Sequence, residues 1–447
     1  MRVAFLQKDP MPDPGLMVLG AAAVFRGHEC EVFIPAAERD LRRSLQRFAP
    51  AAVVFTPTTG FHGWALEQAR AVAAITGGAP NLFTGAHATD HPEIVREPGV
   101  DLVMLGDPET TLPEILFKIF KERDLPGTSG TVALGPDGDL LFGPERAFED
   151  ALDHLPLPDL EIYRRYPFVT KQTTLAFAVG RGVFENTHSG FRIGLKELHR
   201  RFRPARRHSV EEAIQRLNLL ITQHRRARRV AFKDDTLLTD RGWALRFLAR
   251  YRDEVRLPFS CVARPDLLDD ALCDALAAAG CDLIRLGIES GDVALRSAAL
   301  GVEVTDDQVR SAARRLRDRG IGLHTINFLG LPGESMATAT ATLDLNLELR
   351  PDHAFAILLA DEDGASLRPE FARLQALLPV VVDAPWLRSS ALAALAKPGD
   401  PLYRRLFQWH HDAAFVTGHE LGRVDVLRIV AGVGAGRSAR PSRALTE

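Results

Sequence analysis

Short apolar runs alternate with amphipathic helical stretches from the first residue to about residue 360, and this repeat constrains the fold more than any other feature. An apolar run followed by a helix-period stretch is the repeating unit of a parallel sheet covered by helices. In the first third, strands are expected at Arg2–Gln7, Glu31–Pro35, Ala51–Thr56, Asn81–Thr84 and Asp101–Leu105, with helices near Leu16–Arg26, Arg39–Phe48, Gly63–Ile75 and Thr111–Lys121. From Thr173 the alternation resumes, with strands at Thr174–Val179, Val230–Lys233, Phe259–Ala263, Leu283–Gly287, Leu323–Leu329 and His353–Leu359. The fold class is α/β: a Rossmann-like doubly wound domain, then six units that describe a partial, open barrel, then a small helical C-terminal region.

A chain of 447 residues has room for two or three domains. The net charge of -3 provides no electrostatic pull toward nucleic acid or membrane, although His199–His208 with Arg225, Arg226, Arg228 and Arg229 is locally basic. That run carries one interleaved aromatic, and arginines of this kind read as a solvated face. No uninterrupted apolar run approaches the ~20 residues of a membrane span, and Met1–Gln7 lacks the apolar core and cleavage site of a signal peptide. A cytoplasmic location is expected, with no membrane span and no nucleic-acid partner. Cys30, Cys261, Cys273 and Cys281 are scattered outside any metal or disulfide spacing and read as small buried hydrophobes.

Ligands of doubly wound sheets sit beyond the carboxyl ends of the strands. The loops there are Lys8–Gly15, Thr56–Gly60, Thr84–Thr89 and Gly106–Glu109, each rich in turn residues and small polar groups. Any one of them is compatible with an ordinary strand-to-helix turn. Taken together they point to a site, with Pro14, Gly15, Thr56, Thr58, Gly85, His87, Thr89, Gly106 and Glu109 as its candidate residues.

The order Pro-x-Gly-Leu, Arg26-Gly-His28, Thr-Gly-x-His-x-Thr with His91-Pro-Glu93, then Gly-Asp-Pro-Glu-Thr-Thr-Leu resembles the cobalamin-binding domain of cobalamin-dependent radical S-adenosylmethionine proteins. The resemblance implies that these loops lie over cobalamin. The chain has no Asp-x-His-x-x-Gly segment, so no protein-derived lower ligand to cobalt is expected. The implied organisation is a cobalamin-binding domain over residues 1–125, a hairpin and proline-containing linker over 126–170, and a radical-SAM-like barrel over 171–360. A helical region over 361–435 and a disordered tail over 436–447 complete it. The hairpin turns on Asp137-Gly138, and Asp153–Leu160 carries two prolines that favour an extended track across the surface.

In the second domain the resemblance places S-adenosylmethionine contacts at Asp234 and Asp235 of Phe232–Leu237, at Arg264, at Glu289 and Ser290 of Ala279–Gly291, and at Asn327 and Gly330 of Asn327–Glu334. Carboxylates at a strand end can hold an ammonium by charge-assisted hydrogen bonds. A pair of strand-end acids is more often a solvated cap.

The stretch Ala178–Phe191 departs from the family. A Cys-x-x-x-Cys-x-x-Cys motif there would supply three thiolates to a 4Fe-4S cluster. Aligned through Arg181-Gly182, its three positions are Val183, Thr187 and Gly190, so the cluster is expected to be absent. Glu185, Asn186, Thr187 and His188 are expected to line the space as a polar loop, with His188 and Glu185 as candidate catalytic groups. The implied function is a cobalamin- and S-adenosylmethionine-binding enzyme that carries out non-radical methyl transfer or related polar chemistry on a small-molecule substrate. Two alternatives stay open at the level of sequence: a non-catalytic cobalamin- or S-adenosylmethionine-binding partner, sensor or carrier, and a redeployed scaffold without cobalamin.

Overall fold

The computed structural model describes residues 1–8, 11–58, 62–147, 151–182, 206–234, 237–300, 303–359 and 369–395. These divide between two compact units, Met1–Ala263 with Leu267–Leu283, and Arg264–Asp266 with Ile284–Glu447.

The first unit opens with β1 (Arg2–Leu6), α1 (Pro14–Phe25), β2 (Glu29–Phe33), α2 (Leu41–Phe48), β3 (Ala52–Phe55), α3 (His62–Ala73), β4 (Asn81–Phe83), α4 (Ala86–Asp90), β5 (Leu102–Met104) and α5 (Pro108–Phe120). A hairpin of β6 (Thr131–Leu134) and β7 (Leu140–Phe142) follows. The sheet runs in the order β2-β1-β3-β4-β5-β6-β7, with the first five strands parallel and the hairpin antiparallel. Side chains alternate across a strand. Val3 and Phe5 therefore join Leu16, Leu19, Leu112 and Ile115 on one face, while Ala4 and Leu6 join Leu45, Leu66 and Ala69 on the other. Both faces are covered, as a doubly wound sheet requires.

The hairpin is followed by α6 (Pro167–Thr170), β8 (Thr174–Phe177), β9 (Gly180–Arg181), β10 (Arg206–Arg207), α7 (Val210–Gln223), β11 (Arg229–Phe232), α8 (Arg241–Glu254), β12 (Phe259–Ala263), α9 (Asp270–Ala278) and β13 (Cys281–Glu289). Strand β11 pairs in parallel with β8 and β12. Phe232 packs edge-on against Phe177, Phe247, Tyr251 and Phe259, which fixes α8 to these strands.

The second unit carries α10 (Val293–Leu300), α11 (Asp306–Asp318), β14 (Gly322–Leu329), α12 (Met336–Leu349), β15 (His353–Leu358), α13 (Pro369–Asp383) and α14 (Arg388–Leu395). Strands β14 and β15 are parallel through six registered pairs. The strand order β15-β14-β13-β12-β11-β8 is that of a partial parallel half-barrel.

Three expectations need amendment. The segment after the hairpin does not track over the surface: Leu152 and Leu160 are buried, and Arg216, 5% exposed, donates to the carbonyls of Asp153 (2.7 Å), Leu155 (2.5 Å) and Pro156 (3.1 Å). Prolines denied it a helix, and a buried guanidinium then fixed the extended chain. Arg206 and Arg207 of the basic run are half-buried and paired, because acidic partners lie beside them, while Arg225, Arg226 and Arg228 are exposed as expected. The helix α4 was not anticipated, being too short to show a period. The segments Ala360–Leu367 and 396–447, including Trp409, His410, His411 and the tail, lie outside the described residues.

Candidate functional site

The strand order places the topological reversal of the first sheet between β1 and β3, the position beyond whose carboxyl ends doubly wound sheets bind their ligands. The β1–α1 loop arrives there on a capped helix. Asp13 accepts from the amides of Gly15 (2.7 Å) and Leu16 (3.2 Å), and Pro14 takes the first helical position. Tyr163, wholly buried, accepts from the Asp13 amide at 3.0 Å and donates to Gln7 Oε1 at 2.5 Å, so the linker holds this loop from behind. On the β3 side, Thr56 is half-buried and Thr58 is exposed.

The β4–α4 loop turns on Gly85, whose φ of +93° is open to glycine at little cost. A Cβ there would stand 3.8 Å from the Cβ of Thr56, so these two candidate residues are neighbours. Thr89 accepts from the amide of Gly106 at 3.1 Å and joins this loop to the next. His87 is buried and stacks on His62, with ring centres 4.3 Å apart and planes 14° apart, and its other neighbour is His91 at 4.8 Å. Burial, with repulsion from His62 and His91 added, pushes the His87 pKa down to about 3. Burial pushes the Asp90 carboxyl up to about 7.

At α5, Asp107 occupies the capping position without capping. Its carboxylate is taken instead by Arg206, through Nη1 to Oδ2 at 2.5 Å and Nη2 to Oδ1 at 3.0 Å, with Arg181 at 3.5 Å. Arg181 Nη2 donates to Glu109 Oε1 at 2.5 Å, and only 4% of the Glu109 side chain is exposed. Burial opposes the charge on Arg181, but Glu109 and Asp107 outweigh it, and its pKa lies above the ordinary value. Several buried polar atoms along this edge have no hydrogen-bond partner among the described residues: His62 Nδ1, Thr84 Oγ1, Asp90 Oδ1, Glu109 Oε2 and Thr111 Oγ1.

Beyond β11, Asp234 Oδ2 accepts from the amide of Val179 at 2.9 Å, so this carboxylate is anchored to the chain just after β8. Asp235 lies outside the described residues, as do Glu185, Asn186, Thr187, His188 and the positions Val183 and Gly190.

In the second unit, Arg264 forms a two-pronged bond with Asp266, at 3.0 and 2.6 Å. Glu289 ends β13 in the left-handed region at φ +69°, a conformation that costs a non-glycine residue roughly 1–2 kcal/mol and concentrates at functional sites. The wholly buried Arg296 holds the turn that follows: it donates to the Ser290 carbonyl (Nε, 2.8 Å), the Val304 carbonyl (2.6 Å) and Asp306 (3.2 Å). Gly291 donates to Thr342 Oγ1 at 2.8 Å, and a Cβ at that glycine would lie 2.3 Å from the Ala341 oxygen. Asn327 is wholly buried, and its amide donates to the Phe355 carbonyl (2.7 Å) and accepts from Asn346 (2.9 Å). That geometry commits its side chain to fixing the end of β14. Gly330, at φ +88°, donates to Glu334 Oε2 at 2.5 Å.

The structure therefore brings Thr56 to Gly85 and Thr89 to Gly106. Arg181, Arg206, His62 and Arg296 were not singled out as site residues from the sequence. The partners of Arg181 and Arg206 lie 72 and 99 positions away, a separation that leaves no local pattern. His62 had a usable signal, as a histidine two residues beyond the Thr56–Gly60 loop, at the start of α3.

Residues 186–345 match the family model of the radical SAM superfamily. An uncharacterized methyltransferase, PH0819, from Pyrococcus horikoshii is 26% identical over 372 residues, covering 80% of this chain and 77% of that protein. Among solved structures, the radical S-adenosylmethionine methyltransferase TsrM from Kitasatospora setae, with tryptophan substrate and a S-adenosylmethionine analogue bound, aligns with a TM-score of 0.62 at 20% identity, covering 79% of this chain and 72% of that one. The cobalamin-dependent S-adenosylmethionine radical enzyme OxsB, with aqua-cobalamin and S-adenosylmethionine bound, aligns with a TM-score of 0.58 at 15% identity, covering 95% of this chain and 62% of that one. Residues 186–345 thus match a radical SAM domain, and the α/β scaffold shares its fold with these two enzymes.

Proposed function

We propose that this protein binds cobalamin at the carboxyl edge of β1–β5 and S-adenosylmethionine at the ends of β13 and β14. We further propose that it transfers a methyl group to a small-molecule substrate by polar rather than radical chemistry. The unmatched atoms of His62, Thr84, Asp90, Glu109 and Thr111 support the first part. A buried polar atom left without a partner costs about 1–3 kcal/mol, and the amide-bearing rim of a corrin offers donors and acceptors to such atoms. Gly85 and Gly106, both at positive φ, keep the edge clear of Cβ atoms. The residues fit the group: Thr56, Thr58, Gly85, His87, Thr89, Gly106 and Glu109 would hold it, with Pro14 and Gly15 on the β1 side. When bound, cobalamin supplies a nucleophilic metal centre suited to relaying a methyl group from a sulfonium to a nucleophile.

The observation that carries the polar reading is the placement of the cysteines. Cys30, Cys261, Cys273 and Cys281 are all buried, in β2, β12, α9 and β13, and residues 178–191 contain none. A radical mechanism needs three thiolates beside S-adenosylmethionine. Glu185 and His188 are the polar groups proposed for that stretch, and unchanged turnover in His188→Ala would remove the catalytic role of the histidine.

The test is to incubate oxygen-free protein with hydroxocobalamin, a low-potential reductant and S-adenosylmethionine. S-adenosylhomocysteine without 5′-deoxyadenosine, in protein that lacks stoichiometric iron, is the expected result. 5′-Deoxyadenosine with stoichiometric iron and sulfide would overturn the polar mechanism. Cobalamin binding with neither product would mark a carrier or sensor.

A further inference from the structure

Strands β9 and β10 form an antiparallel pair, Arg181 opposite Arg206 and Gly180 opposite Arg207. They bracket residues 183–205, the stretch in which the family keeps its cluster motif. Each strand sends one guanidinium to the same short loop on the first sheet, where Arg206 takes Asp107 and Arg181 takes Glu109. These groups are largely withdrawn from water, with side-chain exposures of 22% for Arg181, 11% for Arg206, 13% for Asp107 and 4% for Glu109. Ion pairs this sheltered are screened little by salt and hold one geometry. The loop they grip also carries Gly106, which is tied to Thr89 of the neighbouring loop. Asp107 has given up helix capping for this contact, although a capping bond is the ordinary use of an aspartate there.

We propose that Arg181 and Arg206 are positioning residues that couple the β9–β10 pair energetically to cofactor binding on the first sheet. The inference rests on the cobalamin reading given above. Cobalamin binding orders the Thr89 and Gly106–Glu109 loops, and the two ion pairs transmit that order to the base of the segment that β9 and β10 bracket. Coupling between sites is reciprocal, so loosening β9–β10 weakens cofactor binding, and cofactor binding tightens β9–β10.

The experiment uses the full chain and hydroxocobalamin as the probe. Affinity is measured by absorption titration, and hydrogen exchange is followed in the peptides that hold Gly180, Arg181, Arg206 and Arg207. In the wild type, hydroxocobalamin slows exchange of these amides. In Arg206→Met the dissociation constant rises at least tenfold and the slowing is lost, while Arg206→Lys restores part of both. Removing one member of a sheltered pair leaves the other charge stranded. The neutral pair Asp107→Asn with Arg206→Met therefore keeps the fold while breaking the link, and its thermal midpoint stays close to that of the wild type. Wild-type protein that fails to bind hydroxocobalamin overturns the cofactor reading and the coupling with it. Wild type that binds, with variants that bind equally well or with β9–β10 exchange unaffected by the ligand, overturns the coupling alone.

Discussion

Arg296, with no exposed surface, donates to the backbone carbonyl of Ser290 from both Nε and Nη2 and so clamps the turn that follows the strained Glu289. A guanidinium is suited to this because its planar fork meets several acceptors at once. Asp306 supplies the countercharge at 3.2 Å.

Arg296→Met is expected to strand the Ser290 and Val304 carbonyls and to destabilise the protein by about 3 kcal/mol. Urea denaturation of the variant should show the lower midpoint. A midpoint equal to that of the wild type would mean that water or another donor replaces the guanidinium.

Gly291→Ala is expected to destabilise by about 1–3 kcal/mol, because its Cβ would meet the backbone at Ala341 and Thr342 within 2.4 Å. Backbone cannot swing aside as a side chain can. Gly63→Ala serves as the contrast: it lies in α3 with nothing near its Cβ position, and it should be neutral or stabilising by about 0.4–1 kcal/mol. Thermal melts of the two variants check the difference in sign.

His87 and Asp90 give opposing pH dependences. The His87 pKa falls from 6.5 to about 3 on folding, so between those values the unfolded state binds more protons and stability rises with pH. The Asp90 pKa rises from 3.8 to about 7, so between those values the folded state binds more protons and stability falls with rising pH. Their slopes offset each other from about pH 4 to 6.5. In Asp90→Asn the rise with pH should emerge in that window, and in His87→Phe the fall should emerge. Denaturation midpoints across the window in the three proteins decide it.

The four cysteines are expected to resist thiol reagents in the native state and to react together on unfolding. Burial pushes the Cys30 thiol up to about 12, which removes nearly all thiolate at neutral pH, and the other three are buried as well. Counting thiols released with and without denaturant tests this. Rapid native labelling of any one of them would show an opening that the fold does not account for.

The sheets were legible because their strands are continuous apolar runs bounded by turns, a local pattern that burial on both faces demands. Phe259–Ala263 is the same in expectation and in structure, and β1, β14 and β15 differ only by a residue at one end. The carboxyl-edge loops were legible for a related reason, since Gly85 and Gly106 mark turns at positive φ that other residues adopt only with strain. Less legible was Asp153–Tyr166, which reads as a connector. Its fixity comes from Arg216, from Tyr163 on Gln7 and Asp13, and from Tyr166, whose hydroxyl accepts from the Ile34 amide at 2.8 Å and donates to Glu38 at 2.6 Å.

By itself the sequence determined the order of strands and helices, the loops at their carboxyl ends, and the absence of cysteine from Ala178–Phe191. These follow from local chemistry: the period of apolar residues, the dihedral freedom of glycine, and the identity of possible ligands. Only the tertiary structure decided that Asp107 would abandon its helix for Arg206, that Glu109 would meet Arg181, and that His62 would stack on His87. Such pairings join residues tens of positions apart, and charge and ring complementarity selects a partner only after the backbone has brought the candidates within reach.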